Sequence, residues 1–251
     1  MLTVDLNADL GESFGRYTLG LDDQILQIIS SANVACGFHA ADPVVMEQTI
    51  ALAAKAGTSV GAHPGYPDLM GFGRRNMAVS AEEARAYILY QLGALDAFLR
   101  PCGLKMRHVK PHGAFYNMAA VDHSLAMAIC GAVKDFDPSL KVMALSGGEL
   151  IKAAEETGLE SISEVFADRA YEEDGTLVSR RKPGSMITDE NLAIQRVVRM
   201  VTEGKVTAIT GKDIPIRAES ICVHGDGEKA VLFARMIRDE LEKNGVKVAA
   251  K

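Results

Sequence analysis

Short apolar runs alternate with longer amphipathic stretches from one end of the chain to the other. Each short run is rich in β-branched residues and ends in a polar or glycine-rich corner, which is typical of a strand that leads into a helix. Repetition of this unit about seven times predicts a parallel sheet covered by helices. The predicted strands are residues 2–9, 31–39, 59–64, 107–113, 141–146, 162–169 and 220–226.

The longer stretches show helical periodicity, most clearly over residues 80–99. Ser80 and Glu83 form a capping-box pattern at the start of this stretch. The apolar stripe that follows has a spacing of about 3.6 residues and comprises Ala84, Ile88, Leu92, Leu95 and Leu99. Similar patterns predict helices at residues 43–56, 123–135, 147–157, 189–203 and 227–243.

Two stretches fit neither pattern. Residues 65–79 and 170–187 are long connections that contain glycine. Loops longer than about 12 residues in a compact domain are commonly functional, so we expect both to contribute to a site. The segment VTAI at 206–209 predicts a small extra strand or part of a hairpin.

The strands have one apolar and one polar face, because residues of equal parity in a strand share a face. In the first strand the apolar face holds Leu2, Val4 and Leu6, and the opposite face holds Asp5, Asn7 and Asp9. A doubly wound sheet, buried on both sides, would instead have continuously apolar strands. The alternation therefore predicts a single-domain α/β barrel over residues 1–251, with about seven parallel strands and with Asp5, Asn7 and Asp9 pointing into a polar cavity.

Four of the six histidines lie at the carboxyl ends of predicted strands, close to glycine or proline. Barrel enzymes build their active sites at this end. A single histidine at a strand end is more often structural, but four at equivalent positions indicate a functional cluster. They are His39, His63, His112 and His224.

Composition excludes several classes of protein. The net charge is −6, from 27 basic and 33 acidic residues, which argues against a nucleic-acid or membrane-surface partner. We find no apolar run of the roughly 18 residues that a membrane span needs and no signal peptide at the start, so the cytoplasm is the expected compartment. Cys36, Cys102, Cys130 and Cys222 have no CxxC spacing, so we expect free thiols.

The motifs together resemble those of the LamB/YcsF family, and they occur in order along the whole chain. The resemblance implies a distorted β/α barrel, similar to the glycoside hydrolase and deacetylase barrels. The matching blocks are DLNADLGESFG (5–15), SANVACGFHAADP (31–43), GAHPGYPDLMGFGRR (61–75), VKPHGAFYN (109–117), EVFADRAYEEDGTLVSRRKPGS (164–185) and ICVHGDG (221–227).

The resemblance also implies a reaction and partners. The expected activity is the ATP-dependent opening of the lactam of 5-oxo-L-proline to L-glutamate, with ATP as co-substrate together with Mg²⁺. The family is expected to act with two partner subunits, B and C. We therefore expect a hydrolase of a cyclic amide that is active only in a complex.

Candidate roles follow from residue type and position. Asp9 or Glu12 is the expected general base, because an enclosed carboxylate can have a raised pKa. Lys110 and His112 share a strand face and could hold a phosphate or an oxyanion. Asp5 and Asn7 are expected to support these groups. For Glu12 and Lys110 the alternative to a catalytic role is a structural ion pair.

His39 and His63 could donate protons or bind metal. Deacetylase barrels of similar fold bind a divalent ion through an aspartate and two histidines, which makes Asp9, His39 and His63 weak candidates for a zinc or manganese site. The chain has no HExxH motif, so the sequence leaves the metal open.

The loop after the sixth long strand is rich in charge. Its arginines could clamp a substrate carboxylate or a phosphate, and the alternative is an exposed loop or a surface that binds a partner. Nucleotide binding is less readable, because GxxxxGK[ST] is absent. The corner HGDG precedes a predicted helix and could bind phosphate, although another chain of the complex could bind ATP instead. The candidate residues are Asp168, Arg169, Arg180, Arg181, His224, Gly225, Asp226 and Gly227.

Two other functions are compatible with these patterns. One is a metal-dependent amide or acetyl hydrolase of the deacetylase type, which needs neither ATP nor partners. The other is a non-catalytic subunit that binds the substrate and presents it to its partners. ATP consumption with 5-oxoproline would separate the first from the expected activity, and turnover by folded site variants would reveal the second.

Overall fold

The computed structural model describes residues 1–223 and 228–251. Seven parallel strands form a closed barrel, in the order β1-β2-β3-β4-β5-β6-β9, and β9 pairs with both β6 and β1. The short β10 lies beside the start of β1 and pairs with it in parallel, and β7 and β8 form an antiparallel pair. The strands are β1 (Thr3–Leu10), β2 (Ser31–Ala35), β3 (Ser59–His63), β4 (Met106–Val109), β5 (Lys141–Leu145), β6 (Ser161–Phe166), β7 (Lys205–Thr207), β8 (Asp213–Pro215), β9 (Ser220–Cys222) and β10 (Lys247–Val248).

The predicted barrel is confirmed, and so is the hairpin at residues 205–215. Three strands end three or four residues earlier than predicted: β2 at Ala35, β4 at Val109 and β6 at Phe166. β3 and β5 each end one residue early, and the predicted end of β9 lies outside the described residues. Gly37, with φ +93°, turns the chain out of the sheet after β2. Pro111 has no N–H for a ladder and follows β4 closely. The functional side chains beyond these ends therefore belong to loops rather than to strands.

Helices surround the barrel, and all six predicted helices are confirmed to within a few residues. The helices are α1 (Asp22–Ile25), α2 (Pro43–Ala56), α3 (Ala81–Leu99), α4 (Gly113–Ala119), α5 (His123–Phe136), α6 (Glu149–Thr157), α7 (Glu190–Glu203) and α8 (Glu228–Lys243). The capping box of Ser80 and Glu83 is present at the start of α3. The short helices α1 and α4 were not predicted.

The two faces of the barrel strands differ as strand parity predicts. The outward residues Val4, Leu6 and Ala8 are fully buried in the apolar core between the barrel and the helices. Leu2 is the exception: it precedes β1 and is 53% exposed. The inward face of β1 carries Asp5 and Asn7, which are fully buried and hydrogen-bonded to other polar side chains. The interior of the barrel is therefore polar.

The barrel is distorted beside the site. Val60 of β3 pairs with Met106, and Ala62 pairs with Val109, so β4 has one extra residue at this point. Such a bulge bends the strand locally and redirects its side chains.

No helix within residues 1–223 and 228–251 is long and apolar enough to cross a bilayer. The four cysteines are free, as predicted.

Candidate active site

A cavity of about 890 Å³ opens at the carboxyl ends of the barrel strands. Its lining combines carboxylates, imidazoles, guanidinium groups and one lysine ammonium group. The cavity brings together many of the residues that the sequence singled out. The charged and imidazole residues that line it include Asp9, Glu12, His63, Arg74, Lys110, His112, Arg169, Arg180 and Arg181.

Lys110 lies just beyond β4, buried between two carboxylates. Its Nζ donates to Glu164 Oε1 at 2.7 Å and to Asp9 Oδ1 at 2.9 Å. Asn7 Oδ1 at 3.2 Å is a third acceptor. Burial alone would lower the pKa of Lys110, but the charge of Asp9, followed by those of Cys222 and Glu164, outweighs it and holds this pKa well above its ordinary value. Lys110 is therefore a charged bridge between carboxylates, with its three N–H groups already engaged.

Asp9 lies at the end of β1 and reaches the cavity. Its Oδ1 accepts from Lys110 and also from Asn33 Nδ2 at 2.9 Å, and its Oδ2 lies 3.2 Å from His63 Nε2. Burial pushes the pKa of Asp9 upward, but His63 and Lys110 outweigh it, so the pKa lies well below its usual range. The raised pKa expected for an enclosed carboxylate is therefore wrong for Asp9, because a buried ammonium group stands beside it.

His63 and His112 are both oriented by backbone carbonyl groups. His63 Nδ1 donates to the carbonyl oxygen of Lys110 at 2.7 Å, and His112 Nε2 donates to that of Phe72 at 2.8 Å. Phe72 has φ +54°, an unusual conformation for a residue other than glycine, which commonly marks functional sites. The remaining nitrogens, His63 Nε2 and His112 Nδ1, lie 2.9 Å apart. The two rings thus face each other edge to face.

His39 is fully buried beneath this pair. Its ring stacks on that of His112, with centroids 3.7 Å apart and planes within 2° of parallel. Its Nε2 lies 3.1 Å from Glu12 Oε1, while its Nδ1 has no hydrogen-bond partner in the described part of the chain. A Cβ atom at Gly65 would lie 2.5 Å from that Nδ1, so only glycine lets the backbone approach the ring so closely.

Burial lowers the pKa of two of these imidazoles. For His39 the nearby charge of His63 adds to the effect of burial, and for His112 the charges of His39 and His63 add to it. Both pKa values lie well below the ordinary range, so both rings are neutral at physiological pH. Neutral imidazole is the form that binds metals and accepts protons.

Four side chains in the described part of the chain could hold a metal ion together. Glu12, His39, His63 and His112 each offer one ligand atom, and these atoms all lie within 4.8 Å of one another. The set retains His39 and His63 from the sequence-based candidates. It has Glu12 in place of Asp9 and adds His112.

Asp5 and Asn7 do not line the cavity, contrary to the prediction. Asp5 accepts hydrogen bonds from Ser30, Ser31 and Ser220 deep in the barrel. Burial raises its pKa, although these hydrogen bonds act in the opposite direction. Asn7 lies above it and donates to Glu164 Oε1 at 3.0 Å. Both residues close the barrel interior beneath the site, which fits the supporting role expected for them.

Glu164 and Tyr116 are important members of the site that the sequence analysis did not select. Glu164 projects inward from β6 and is fully buried. Its Oε2 accepts from the Tyr116 hydroxyl at 2.7 Å, and its Oε1 accepts from Lys110. A signal was available: Glu164 is a lone acidic residue inside the run ISEVF, on the same face as Phe166. Tyr116 had no comparable signal because α4 was not predicted.

The guanidinium groups come from two loops. Arg169 is buried, and its Nη2 donates to the carbonyl oxygen of Val178 at 2.7 Å. Its Nε has no partner among the residues that the structure describes. Burial lowers the pKa of Arg169, and the positive charge of Arg180 lowers it further. Two crowded cations and a buried N–H group without an acceptor are suited to an anion. Arg180 and Arg181 are exposed at the rim.

The loop between β6 and α7, residues 167–189, is called the arginine loop here. It packs against the barrel and is not a freely exposed segment. Tyr171 is fully buried, and its hydroxyl oxygen accepts from the backbone N–H of Phe166 at 2.8 Å. Asp168 does not line the cavity; its carbonyl oxygen accepts from the N–H of Ile187 at the other end of the loop. The predicted phosphate-binding residues His224, Gly225, Asp226 and Gly227 lie outside the described residues.

Comparisons with known proteins agree with this geometry. The LamB/YcsF family model matches residues 4–251. A relative from Clostridium beijerinckii, named as the A subunit of 5-oxoprolinase, is 61% identical over 99% of this chain and 97% of its own. The crystal structure of a lactam utilization protein from Thermus thermophilus has a TM-score of 0.94 and 48% identity, and all of both chains is covered.

A more distant structure shares the fold alone. The family 4 carbohydrate esterase from Streptomyces lividans, solved in complex with acetate, has a TM-score of 0.50 at 11% identity. The match covers 99% of this chain and 92% of that chain. The predicted similarity to barrels of this type is therefore confirmed for the fold.

Proposed function

We propose that this chain, which belongs to the LamB/YcsF family, is the A subunit of a 5-oxoprolinase. The proposed reaction opens the lactam of 5-oxo-L-proline to L-glutamate and cleaves ATP to ADP and phosphate. The observation that carries the proposal is the 61% identity, over nearly the full length of both chains, to a protein that bears this name. The cavity supports it, because it combines carboxylates, imidazoles and guanidinium groups in one place.

The chemistry explains why ATP is needed. A lactam is a resonance-stabilised amide and a poor electrophile. Transfer of the γ-phosphoryl group to the lactam oxygen would release ADP and activate the ring carbon. Water then adds to that carbon, and the ring nitrogen leaves as an amine, which yields an acyl phosphate. A second water molecule releases phosphate and leaves L-glutamate.

In this scheme Asp9 is the general base that accepts the proton of the attacking water. Its lowered pKa makes it a weak base, but an activated carbon needs only a weakly basic partner. Lys110 keeps this carboxylate ionised and fixes its orientation through the hydrogen bond to Oδ1. His63 Nε2 lies 3.2 Å from the other oxygen and helps to fix the position of this carboxylate.

The guanidinium groups would bind the anionic parts of the substrates. The carboxylate of 5-oxoproline and the transferred phosphoryl group both match the planar fork of arginine. Arg169 is the proposed anchor, because it is buried and its Nε has no acceptor among residues 1–223 and 228–251. Arg180 and Arg181, exposed at the rim, would close over the phosphate. The N–H groups of Lys110 already donate to protein side chains, so we do not assign Lys110 to phosphate or carboxylate binding.

The word "subunit" in the relatives' names implies a complex of several chains. We propose that this chain acts with two partner subunits, B and C, and with ATP and Mg²⁺ as co-substrate. Its free thiols fit the reducing cytoplasm, where ATP is available. Catalysis by the isolated chain is not expected.

The test is to measure glutamate and ADP from 5-oxoproline and ATP with this chain alone, with the partners alone and with the reassembled complex. Only the complex should form both products, in equal amounts. Asp9→Asn, which keeps the size of the side chain, should lower kcat about 100-fold or more. Asp135→Asn is the matched control, since Asp135 is exposed and pairs with Arg85 on the surface.

Two results would contradict the proposal. Turnover of 5-oxoproline by the partners alone would remove this chain from the reaction. Full turnover by a folded complex containing Asp9→Asn would assign the cavity to binding rather than to catalysis.

A further inference from the structure

The hydrogen bonds of two imidazoles fix which of their nitrogens carry hydrogen. His63 Nδ1 lies 2.7 Å from the carbonyl oxygen of Lys110, and His112 Nε2 lies 2.8 Å from that of Phe72. A carbonyl oxygen only accepts, so both of these nitrogens carry the hydrogen. When no further proton is bound, His63 Nε2 and His112 Nδ1 are then both lone-pair acceptors.

These two acceptor nitrogens lie only 2.9 Å apart. Carboxylate oxygens lie on either side: Asp9 Oδ2 is 3.2 Å from His63 Nε2, and Glu12 Oε1 is 3.4 Å from His112 Nδ1. Lone pairs and negative oxygens at such distances repel one another unless positive charge lies among them. The arrangement therefore calls for a cation at this point, which is either a shared proton or a metal ion.

We propose that Glu12, His39, His63 and His112 form a binding site for one divalent transition-metal ion of the zinc or manganese type. The inference deepens the proposed lactam hydrolysis and rests on it for its purpose, although metal binding is measurable without turnover. Imidazole nitrogen and carboxylate oxygen are the ligands that such ions prefer.

The distances fit this purpose. Two nitrogens bound about 2.1 Å from one ion lie about 3.0 Å apart at the right angle of an octahedral site and about 3.4 Å apart at a tetrahedral angle. The observed separation is 2.9 Å, which is nearer the octahedral value. The four ligand atoms lie within 4.8 Å of one another. Metal-binding histidines commonly donate their second N–H to a carbonyl group, as His63 and His112 do here.

The four ligands are not equally prepared. The rings of His63 and His112 are held by backbone carbonyls, and the unusual backbone of Phe72 serves to present one of them. His39 Nδ1 has no partner among the described residues, and no backbone carbonyl holds this ring. Its orientation comes from stacking on His112 and from the contact of its Nε2 with Glu12, so we expect it to contribute least.

The proposed ligand set leaves Asp9 outside, since its Oδ1 is held by Lys110 and Asn33. This division decides between the two candidate bases: Glu12 binds the ion and Asp9 accepts the proton. When bound, such an ion supplies Lewis-acid polarisation of the carbonyl oxygen and lowers the pKa of bound water.

The experiment uses the full-length chain without a polyhistidine tag, stripped with a chelator that is then removed. Isothermal titration with Zn²⁺ and Mn²⁺, and with Mg²⁺ for contrast, should show one site that prefers the transition metals. Co²⁺ should produce d–d absorption in the visible range. His63→Ala and His112→Ala should each weaken binding at least about 100-fold, and His39→Ala about tenfold.

Controls keep the result interpretable. His123→Ala should leave binding unchanged, because His123 is half exposed and lies near surface glutamates instead. Should an alanine variant lose its circular-dichroism signal, His63→Gln and His112→Gln replace it, since glutamine preserves much of the volume.

The proposal is overturned if the stripped chain binds none of the ions more tightly than the His63→Gln/His112→Gln double variant. It is also overturned if nitrogen NMR of the stripped chain, with Zn²⁺ added, shows one ring protonated on both nitrogens, which identifies a shared proton. Neither readout involves turnover, so a failure of ATP-dependent lactam hydrolysis would leave the metal result standing.

Discussion

At the scale of single residues, the site is organised around one buried ammonium group. Lys110 Nζ pairs with both Asp9 Oδ1, at 2.9 Å, and Glu164 Oε1, at 2.7 Å. Two carboxylates for one lysine leave a net negative charge, which hydrogen bonds from Asn33 and Tyr116 help to stabilise. Because the three N–H groups of Lys110 are engaged, its contribution is to position and ionise its neighbours rather than to hold substrate.

This arrangement makes Glu164 a positioning residue whose loss can be measured. Glu164→Gln preserves the shape of the side chain but removes the charge, so Lys110 loses a charge-assisted hydrogen bond. We expect the free energy of unfolding to fall by about 2 kcal/mol and kcat of the complex to fall with it, because Lys110 would shift toward Asp9 and weaken it further as a base.

Chemical denaturation of the isolated chain and a pH profile of the complex check this expectation. Tyr116→Phe is the matched variant: it removes only the hydroxyl donor to Glu164 and should cost about 1 kcal/mol. Unchanged stability in Glu164→Gln would show that Asp9 alone compensates Lys110.

At the scale of secondary-structure elements, loops at the strand ends carry much of the site. Strand parity was sufficient to find Asp9, His63 and Lys110, because a period of two fixes the face of each side chain. It could not find the carbonyl of Phe72, the burial of Arg169 or the role of Tyr116. These depend on how loops fold against one another, and α4 begins directly after His112 without a side-chain capping hydrogen bond.

The arginine loop is the element most open to a direct test. Tyr171→Phe would leave the buried N–H of Phe166 without its acceptor, which should cost about 1–3 kcal/mol locally. We expect faster hydrogen exchange across residues 170–187 and a higher KM for 5-oxoproline, because Arg169 would lose its fixed position.

Exchange measured by mass spectrometry and steady-state kinetics of the complex follow both effects. Tyr90→Phe serves as the control, since Tyr90 is 66% exposed on α3. A normal KM alongside accelerated exchange would separate the loop from substrate binding.

At the scale of the whole molecule, the barrel combines an apolar outer layer with a polar interior. The sequence predicts this division because the apolar positions of each strand repeat with period two while those of the helices repeat with period 3.6. The closure of the barrel by β9 follows less directly, since β9 has only three residues, Ser220–Cys222. Its pairing with both β1 and β6 depends on the accumulated twist of the other strands.

The polar interior gives the whole fold a particular sensitivity to acid. His108 lies in the interior, donates to Asn33 at 2.6 Å and has a pKa lowered to about 3, mainly by burial and then by the charges of Lys110 and His63. In the unfolded chain its pKa is about 6.5. The stabilisation from keeping it neutral is complete above about pH 6.5 and is lost as the pH falls toward 3.

Replacing His108 should therefore flatten the acid side of the stability profile. Each proton taken up only on unfolding contributes about 1.4 kcal/mol per pH unit, so His108→Gln should reduce the slope between about pH 6 and 4 by that amount. Urea unfolding at several pH values, with a chelator present, measures it, and His123→Ala on the surface should keep the original slope. An unchanged slope in His108→Gln would contradict the prediction, because it would mean that this imidazole is already charged in the folded barrel.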